Sequence, residues 1–170
     1  DLYTQMLNAA VRALRSGREP DLLAPLAAVT EINLHVPALL PPDYVGDVHQ
    51  RLSLYKKLAS CDSDDDLQSL QEELIDRYGR LPEPARALIE THRLRLAAEK
   101  LGARKIDASG ELIVLTFVAD APVDPARLFA LLQREKNMRL AGPQKLRIEV
   151  KTASLDTRLQ QLRGVFKALA

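Results

Sequence analysis

The segment from Ser63 to Gly102 constrains the fold most, because its pattern predicts two helices joined by a short turn. Apolar residues recur at helical spacing up to Gly79, a residue type that commonly ends helices. Two prolines follow, and Pro84 suits the first turn of the second helix. The apolar stripe of the first helix comprises Leu67, Leu70, Leu74, Ile75 and Tyr78. We therefore expect a helical hairpin that buries this stripe.

The opposite face of that first helix is acidic. At about 100° per residue it carries Asp62, Asp65, Glu72 and Asp76, with Asp66 and Glu73 at its margin. No lysine or arginine occurs from Asp62 to Asp76, so the sequence predicts an unneutralised acidic surface. Such a surface usually faces only solvent, but it can also contact a basic partner.

Patterns along the rest of the chain predict an α+β fold, with about six helices packed with a small, mainly antiparallel sheet. An amphipathic helix is expected near the start, followed by a proline-containing connector that ends near residue 29. Alternating residues over Thr30–Val36 predict a strand. Asp43 is the expected cap of a helix that ends at Ser60 and faces Val48 inward.

The second half of the chain predicts two hairpins and two more helices. The hairpins comprise Lys105–Asp107 with Glu111–Val118, joined at a Gly110 of positive φ, and Met138–Leu140 with Lys145–Val150. One helix begins at Asp124-Pro125. The last helix buries a leucine-rich stripe and directs Arg158 outward.

Charge is unevenly distributed over the 170 residues, although the net charge is only +1. Residues 1–80 contain 13 acidic and 8 basic side chains, whereas residues 81–170 contain 10 acidic and 16 basic ones. No apolar run approaches the roughly 20 residues that a membrane-spanning helix needs. The single cysteine, Cys61, suggests a reducing compartment and predicts a cytoplasmic protein. The chain begins without Met in an amphipathic segment, which suggests a piece of a longer protein.

Catalytic chemistry is not expected from these residues. No phosphate-binding GxxxxGK[ST] or GxGxxG motif is present, so no bound ATP is expected. None of the three histidines has metal-ligand spacing, and we expect His35 to point outward from a strand and His49 and His92 to lie on helix surfaces. Cys61 lacks a neighbouring base in sequence, which argues against a nucleophile. The sequence therefore predicts no catalytic residue and no metal site.

A basic stretch near the C-terminus offers a second candidate surface. Lys145, Arg147 and Lys151 could share one face of a strand and contact nucleic-acid phosphates. Aromatic residues are scarce around them, and no nucleic-acid recognition motif is present. Scattered solubilising charge is the alternative explanation.

Three motifs in order resemble the C-terminal domain of bacterial transcription-repair coupling factors. They are TEINLHVPALLPPDYVGDVHQRLSLYKKLAS, EELIDRYGRLPEPARALI and KLGARKI. The resemblance covers nearly the full chain, is strong through residue 106, and is looser beyond it apart from GPQKLRI. It implies that residues 1–29 form the helix and linker leaving a motor domain, and that residues 30–170 form the C-terminal regulatory domain.

In that family the parent protein is an ATP-driven DNA translocase that displaces stalled RNA polymerase and recruits UvrA for excision repair. ATP and Mg²⁺ belong to its motor domains. The C-terminal domain docks on an N-terminal UvrB-like module of the same protein, masks its UvrA-binding surface and restrains the motor. Acidic residues of the ELIDR motif contact arginines of that module. By position these are Glu73 and Asp76, and we expect Glu72 and Asp65 to contribute peripherally.

Two other functions stay open at this point. One is a nucleic-acid-binding appendage that acts through Lys145, Arg147 and Lys151. The other is a structural cap for the motor, in which the helix over residues 1–16 matters most. The expected partner of this domain is the UvrB-like module of the same protein. RNA polymerase, UvrA and duplex DNA are the expected partners of the parent, and no membrane contact is expected.

Overall fold

A computed structural model describes residues 29–170, and it has an α+β architecture. Five helices and five strands occur in this range, and the sixth expected helix, near the start, lies outside the described residues. Contacts divide the chain into two compact units, one containing Ala38–Arg93 and the other Thr30–Pro37 with Leu94–Ala170. The expected domain boundary at residues 29 and 30 stays a prediction.

The first unit is helical. It contains α1 (Val48–Ser60), α2 (Asp64–Tyr78) and most of α3 (Glu83–Lys100), which continues into the second unit. Ser63 caps α2 by accepting a hydrogen bond from the Asp66 amide, and Gly79 ends it with φ 89°. Only glycine adopts such a φ without strain, so the predicted stop at Gly79 is confirmed.

The predicted start of α1 was wrong. Asp47 caps this helix, with its Oδ1 accepting from the amides of His49 and Gln50 at 2.7 and 3.3 Å. Asp43 instead lies in a turn, in which the Pro41 carbonyl accepts from the amides of residues 44 and 45. Val48 is consequently the first helical residue, and it is 52% exposed rather than buried.

The second unit contains a five-stranded sheet and two helices. The strands are β1 (Glu31–Asn33), β2 (Ala103–Ala108), β3 (Leu112–Phe117), β4 (Met138–Leu140) and β5 (Lys145–Glu149). Their order is β1-β2-β3-β5-β4, and only β1 pairs in parallel. The expected small, mainly antiparallel sheet is therefore confirmed. The helices are α4 (Pro125–Arg134) and α5 (Leu155–Leu169).

One face of this sheet forms the core of the second unit. Cross-strand register aligns Ile106 with Leu115 and Leu146, and these side chains are fully buried. Ile148 pairs with Ile113 in the next row and is equally buried. Alternation along β5 therefore directs Lys145, Arg147 and Glu149 to the other face.

Three local expectations in this unit were wrong. β1 ends at Asn33, because the Asn33 side chain accepts from the His35 amide and His35 adopts φ 55°. Gly110 has no positive φ; the Ser109 hydroxyl organises that turn by accepting from the Leu112 amide at 3.2 Å. Arg158 is half-buried, because its guanidinium donates to the Leu34 carbonyl at 2.8 Å and to Thr152.

Candidate docking surface on helix α2

The two sides of α2 differ sharply in burial. Leu67, Leu70 and Leu74 are at most 7% exposed, and they line the side that packs in the first unit. Asp65, Glu72 and Asp76 lie on the opposite side and are exposed. The predicted acidic face is therefore present, with its position fixed by the buried leucines.

Ile75 does not belong to the buried stripe, contrary to the prediction. It follows Leu74 by one residue, so its side chain lies about 100° further round the helix. Gly79, one turn later, has no side chain that could cover it. Ile75 is consequently 43% exposed beside the acidic residues.

Glu73 is not an unneutralised charge, so this part of the prediction was also wrong. Lys57 of α1 donates to both of its carboxylate oxygens, with Nζ–Oε1 and Nζ–Oε2 distances of 2.9 and 3.2 Å. The side chain of Glu73 is 33% exposed and that of Lys57 is 51% exposed. The partner lies 16 residues earlier in the chain, so the acidic segment by itself does not indicate this pair.

The other carboxylates of the exposed face remain open. Asp65 and Asp76 form no ion pair or side-chain hydrogen bond with any residue in the range 29–170. Glu72 accepts one hydrogen bond from the Gln68 amide group at 3.3 Å. Glu73 and Asp76 are three residues apart and hence neighbours on the helix surface. A partner can thus contact one open carboxylate and one that is already paired.

Two acidic residues at the start of α2, Asp64 and Asp66, serve the helix itself. Hydrogen bonds from Asp62 lower the pKa of Asp66, and a bond from Ser63 acts in the same direction. Asp64 forms an ion pair with Arg93 of α3, with an Oδ1–Nε distance of 3.3 Å. Negative charge in the first turn also favours the helix dipole. Asp64 and Asp66 are therefore structural at this end, whereas Asp65 stays open, and Glu72 and Asp76 lie further along the same exposed face.

The far end of α2 is held by a tyrosine. The Tyr44 hydroxyl lies 2.8 Å from the Gly79 carbonyl oxygen and 3.1 Å from that of Leu74, and it donates to these acceptors. Burial raises the pKa of Tyr44, and the neighbouring Tyr78 adds to the shift. Tyr78 in turn donates to the Gln50 side chain of α1 at 2.9 Å. Both ends of the acidic helix are therefore anchored to the rest of the unit.

His92 and Cys61 are packing groups in the same unit. His92 is 6% exposed, with Nε2 2.9 Å from the Cys61 carbonyl oxygen, so its expected surface position was wrong. Burial raises the pKa of the Cys61 thiol, and the charges of Asp66 and Asp62 raise it further. A raised pKa disfavours the thiolate that a nucleophile requires. His49 is exposed as expected, and His35 is exposed with Nε2 2.7 Å from Asp107.

The basic candidate surface is partly neutralised. Lys145 and Arg147 share the outward face of β5, whereas Lys151 lies beyond the end of the strand. Glu149 occupies the same face, with its Oε1 3.1 Å from Arg139 Nη2 and 3.6 Å from Arg147 Nε. The structure thus brings two of the three predicted residues together and adds a carboxylate between neighbouring arginines.

Among residues 29–170, no helix is long and apolar enough to cross a membrane. Nor do the described His, Cys, Asp and Glu side chains form a group of three that could hold a metal ion.

Comparisons with known proteins agree on one family. The model of the TRCF domain family matches residues 34–128. The transcription-repair-coupling factor of Escherichia coli (strain K12) is 41% identical over 169 residues, which cover 99% of this chain and 15% of that protein. That of Haemophilus influenzae is 39% identical over 170 residues, with the same two coverages. The chain therefore spans about 15% of the length of these curated relatives.

A solved structure shares the fold. The crystal structure of the C-terminal domain of a transcription-repair coupling factor matches with a TM-score of 0.71 at 23% identity. The match covers 84% of this chain and 92% of that chain. At this level of identity the likeness establishes the architecture, and the site must be argued from the residues of α2.

Proposed function

This chain belongs to the TRCF domain family, and we propose that it is the interdomain docking domain that keeps a transcription-repair coupling factor autoinhibited. In this proposal the parent is an ATP-driven DNA translocase that displaces stalled RNA polymerase and recruits UvrA for nucleotide excision repair. ATP and Mg²⁺ bind the parent's motor domains. The present chain docks on the N-terminal UvrB-like module, masks its UvrA-binding surface and restrains the motor.

The observation that carries the proposal is the pair of neighbouring carboxylates on α2, Glu73 and Asp76. Asp76 is exposed and has no ionic partner among residues 29–170, and the helix that holds it is anchored at both ends. A fixed carboxylate is a good acceptor for an arginine, which can donate two parallel hydrogen bonds to it. Glu72 and Asp65 extend the same face and contribute peripherally.

The expected energies suit a contact that must release. Exposed ion pairs contribute only about 0–1 kcal/mol each, and a bidentate arginine that loses some water contributes more. A few such contacts together can favour a closed state by a few kcal/mol. RNA polymerase or UvrA could then displace the docked domain through a modest difference in affinity between the two states.

The test uses the full-length coupling factor that carries this chain. Glu73→Arg combined with Asp76→Arg should increase UvrA capture and raise the ATPase rate in the absence of RNA polymerase, because both activities are restrained by docking. Glu111→Arg is a matched control, since Glu111 is an exposed acidic residue in the turn between β2 and β3. Equal effects of the double reversal and the control would contradict the proposal.

Duplex DNA is a second candidate partner, supported by the shared face of Lys145 and Arg147. The contacts of Glu149 with Arg139 and Arg147 weaken it, since they neutralise part of that face. The function as a structural cap depends on residues 1–16, which lie outside the described range, and it stays a prediction.

A further inference from the structure

Lys57 forms an ion pair with Glu73, one of the two carboxylates proposed to contact the docking partner. Its ammonium group contacts both oxygens of Glu73, at 2.9 and 3.2 Å, and both side chains remain partly exposed. Asp76, three residues away, has no such partner among residues 29–170. The two central docking residues therefore start from different states in the undocked domain.

An arginine that approaches Glu73 meets two obstacles. A bidentate contact uses both carboxylate oxygens, and Lys57 already binds both. The ammonium charge also repels an approaching guanidinium, because like charges in contact are unfavourable. Both effects lower the affinity for a basic partner. The Lys57 stem is long and about half exposed, so it can turn into solvent when a stronger donor displaces it.

We propose that Lys57 is an internal competitor for Glu73 that weakens docking and so favours release of the docked state. This inference rests on the proposed function, because it concerns the same surface. It also gives a physical reason for an arginine rather than a lysine as the partner group at Glu73. A lysine would only replace one ammonium group with another, whereas the planar guanidinium donates two parallel hydrogen bonds in a fixed geometry.

The opposite role is physically conceivable and gives the opposite result. If Lys57 only positioned Glu73 for its partner, its removal would loosen the carboxylate and weaken docking. The sign of the change in affinity therefore separates a competitor from a positioning residue.

The test is calorimetric titration of this chain into the isolated N-terminal UvrB-like module. Lys57→Met removes the charge but keeps the length of the stem, and it should tighten docking by about two- to fivefold, as expected for loss of an exposed ion pair. Lys56→Met is the matched control. Lys56 is adjacent and exposed, lines the same groove between α1 and α2, and forms no ion pair within residues 29–170.

A double-mutant cycle makes the test specific to the pair. In a Glu73→Gln background, Lys57→Met should change the affinity no more than Lys56→Met does, because there is no carboxylate to compete for. Thermal unfolding of each variant verifies that the domain remains folded. Lys57→Gln serves as a second variant that also removes the charge.

The possible outcomes separate a competitor role for Lys57 from a positioning role and from an effect of net charge. Equal tightening by Lys57→Met and Lys56→Met would reduce the effect to net charge and overturn the inference. Weakened docking would overturn it in favour of a positioning role. If Asp76→Arg weakened binding but Lys57→Met had no effect beyond that of Lys56→Met, the inference would be overturned and the proposed function would stand. Absence of wild-type binding would reject both.

Discussion

The exposed face of α2 and the outward face of β5 carry opposite charges, and these charges are partnered differently. On β5, residues two apart share a face, so Glu149 lies beside Arg147 and also reaches Arg139 on the neighbouring strand. On α2, the helical neighbours of Asp76 are Glu72 and Glu73 on one side and Gly79 on the other. The strand face therefore neutralises part of its own charge, whereas the helix face leaves a carboxylate open.

This difference shows where a binding surface can be expected. Like charges one turn apart destabilise a helix slightly, by a few tenths of a kcal/mol. The fold can bear this cost because the leucines on the other side and the anchors at both helix ends hold α2 in place. A charged surface that stays open on a rigid element is suited to a partner, and one already paired is suited to solubility.

The largest expected effect is on stability, from truncation of buried side chains on the opposite sides of α2 and β5 from the two charged faces. Leu74→Ala and Ile148→Ala should each lower the free energy of unfolding by about 2–5 kcal/mol, because each leaves a cavity in a packed core. Ile75→Ala is the matched control beside Leu74; since Ile75 is 43% exposed, it should cost far less. Urea denaturation measures all three. Equal losses at Leu74 and Ile75 would contradict the orientation of α2.

A smaller effect is expected at the end of the acidic helix. Tyr44→Phe removes the hydroxyl that donates to the carbonyls of Leu74 and Gly79, and should cost about 1 kcal/mol. The pKa of Tyr44 is raised in the folded state, so the folded state holds the phenolic proton more tightly than the unfolded one. Its contribution is complete below the unfolded pKa of about 10 and is lost as the pH rises through the folded pKa.

Stability measured between neutral and strongly alkaline pH tests this sign. Wild-type protein should lose stability above about pH 10, and the Tyr44→Phe variant should lose less over the same range. An identical alkaline loss in both proteins would mean that Tyr44 does not hold the end of α2 in this way.

The smallest expected effect comes from a substitution that leaves charges on the basic face unpaired, as they are on the acidic face. Glu149→Gln frees Arg139 and Arg147, and should raise the affinity for duplex DNA by up to about fivefold, with a steeper dependence on salt. Glu111→Gln makes the same change of charge at an exposed residue that takes no part in the contacts among Glu149, Arg139 and Arg147, and it serves as control. Fluorescence anisotropy with a short duplex measures both. Tight wild-type binding that is lost on replacing Lys145, Arg147 and Lys151 would favour the DNA-binding alternative.

Local patterns were sufficient for much of the fold. Ser63, Gly79 and Pro84 act on their own helix ends, so the hairpin could be predicted from neighbouring residues. Asp43 and Asp47 are both aspartates, which suit a helix cap, so the local pattern does not distinguish them. The turn at Pro41 includes Asp43 and leaves Asp47 to cap α1.

The charge state of the candidate surface depends on contacts between distant residues. The acidic residues were found from helical spacing alone, but Lys57 reaches Glu73 only because α1 and α2 pack together. His92 likewise became buried through its contact with the Cys61 carbonyl. A lysine on the helix preceding the acidic segment, separated by a short connection, was the one signal that could have indicated the pair.

The most direct test of the central claim is the salt dependence of docking. This chain would be titrated calorimetrically into the N-terminal UvrB-like module, at two salt concentrations and at up to about 1 mM protein. Tethered domains reach effective concentrations of this order, so a weaker contact could not hold a closed state. We predict wild-type binding that weakens with salt, and further weakening by Glu73→Arg and by Asp76→Arg. Absence of binding, or binding that neither salt nor the two reversals change, would contradict the assignment of α2 as the docking surface.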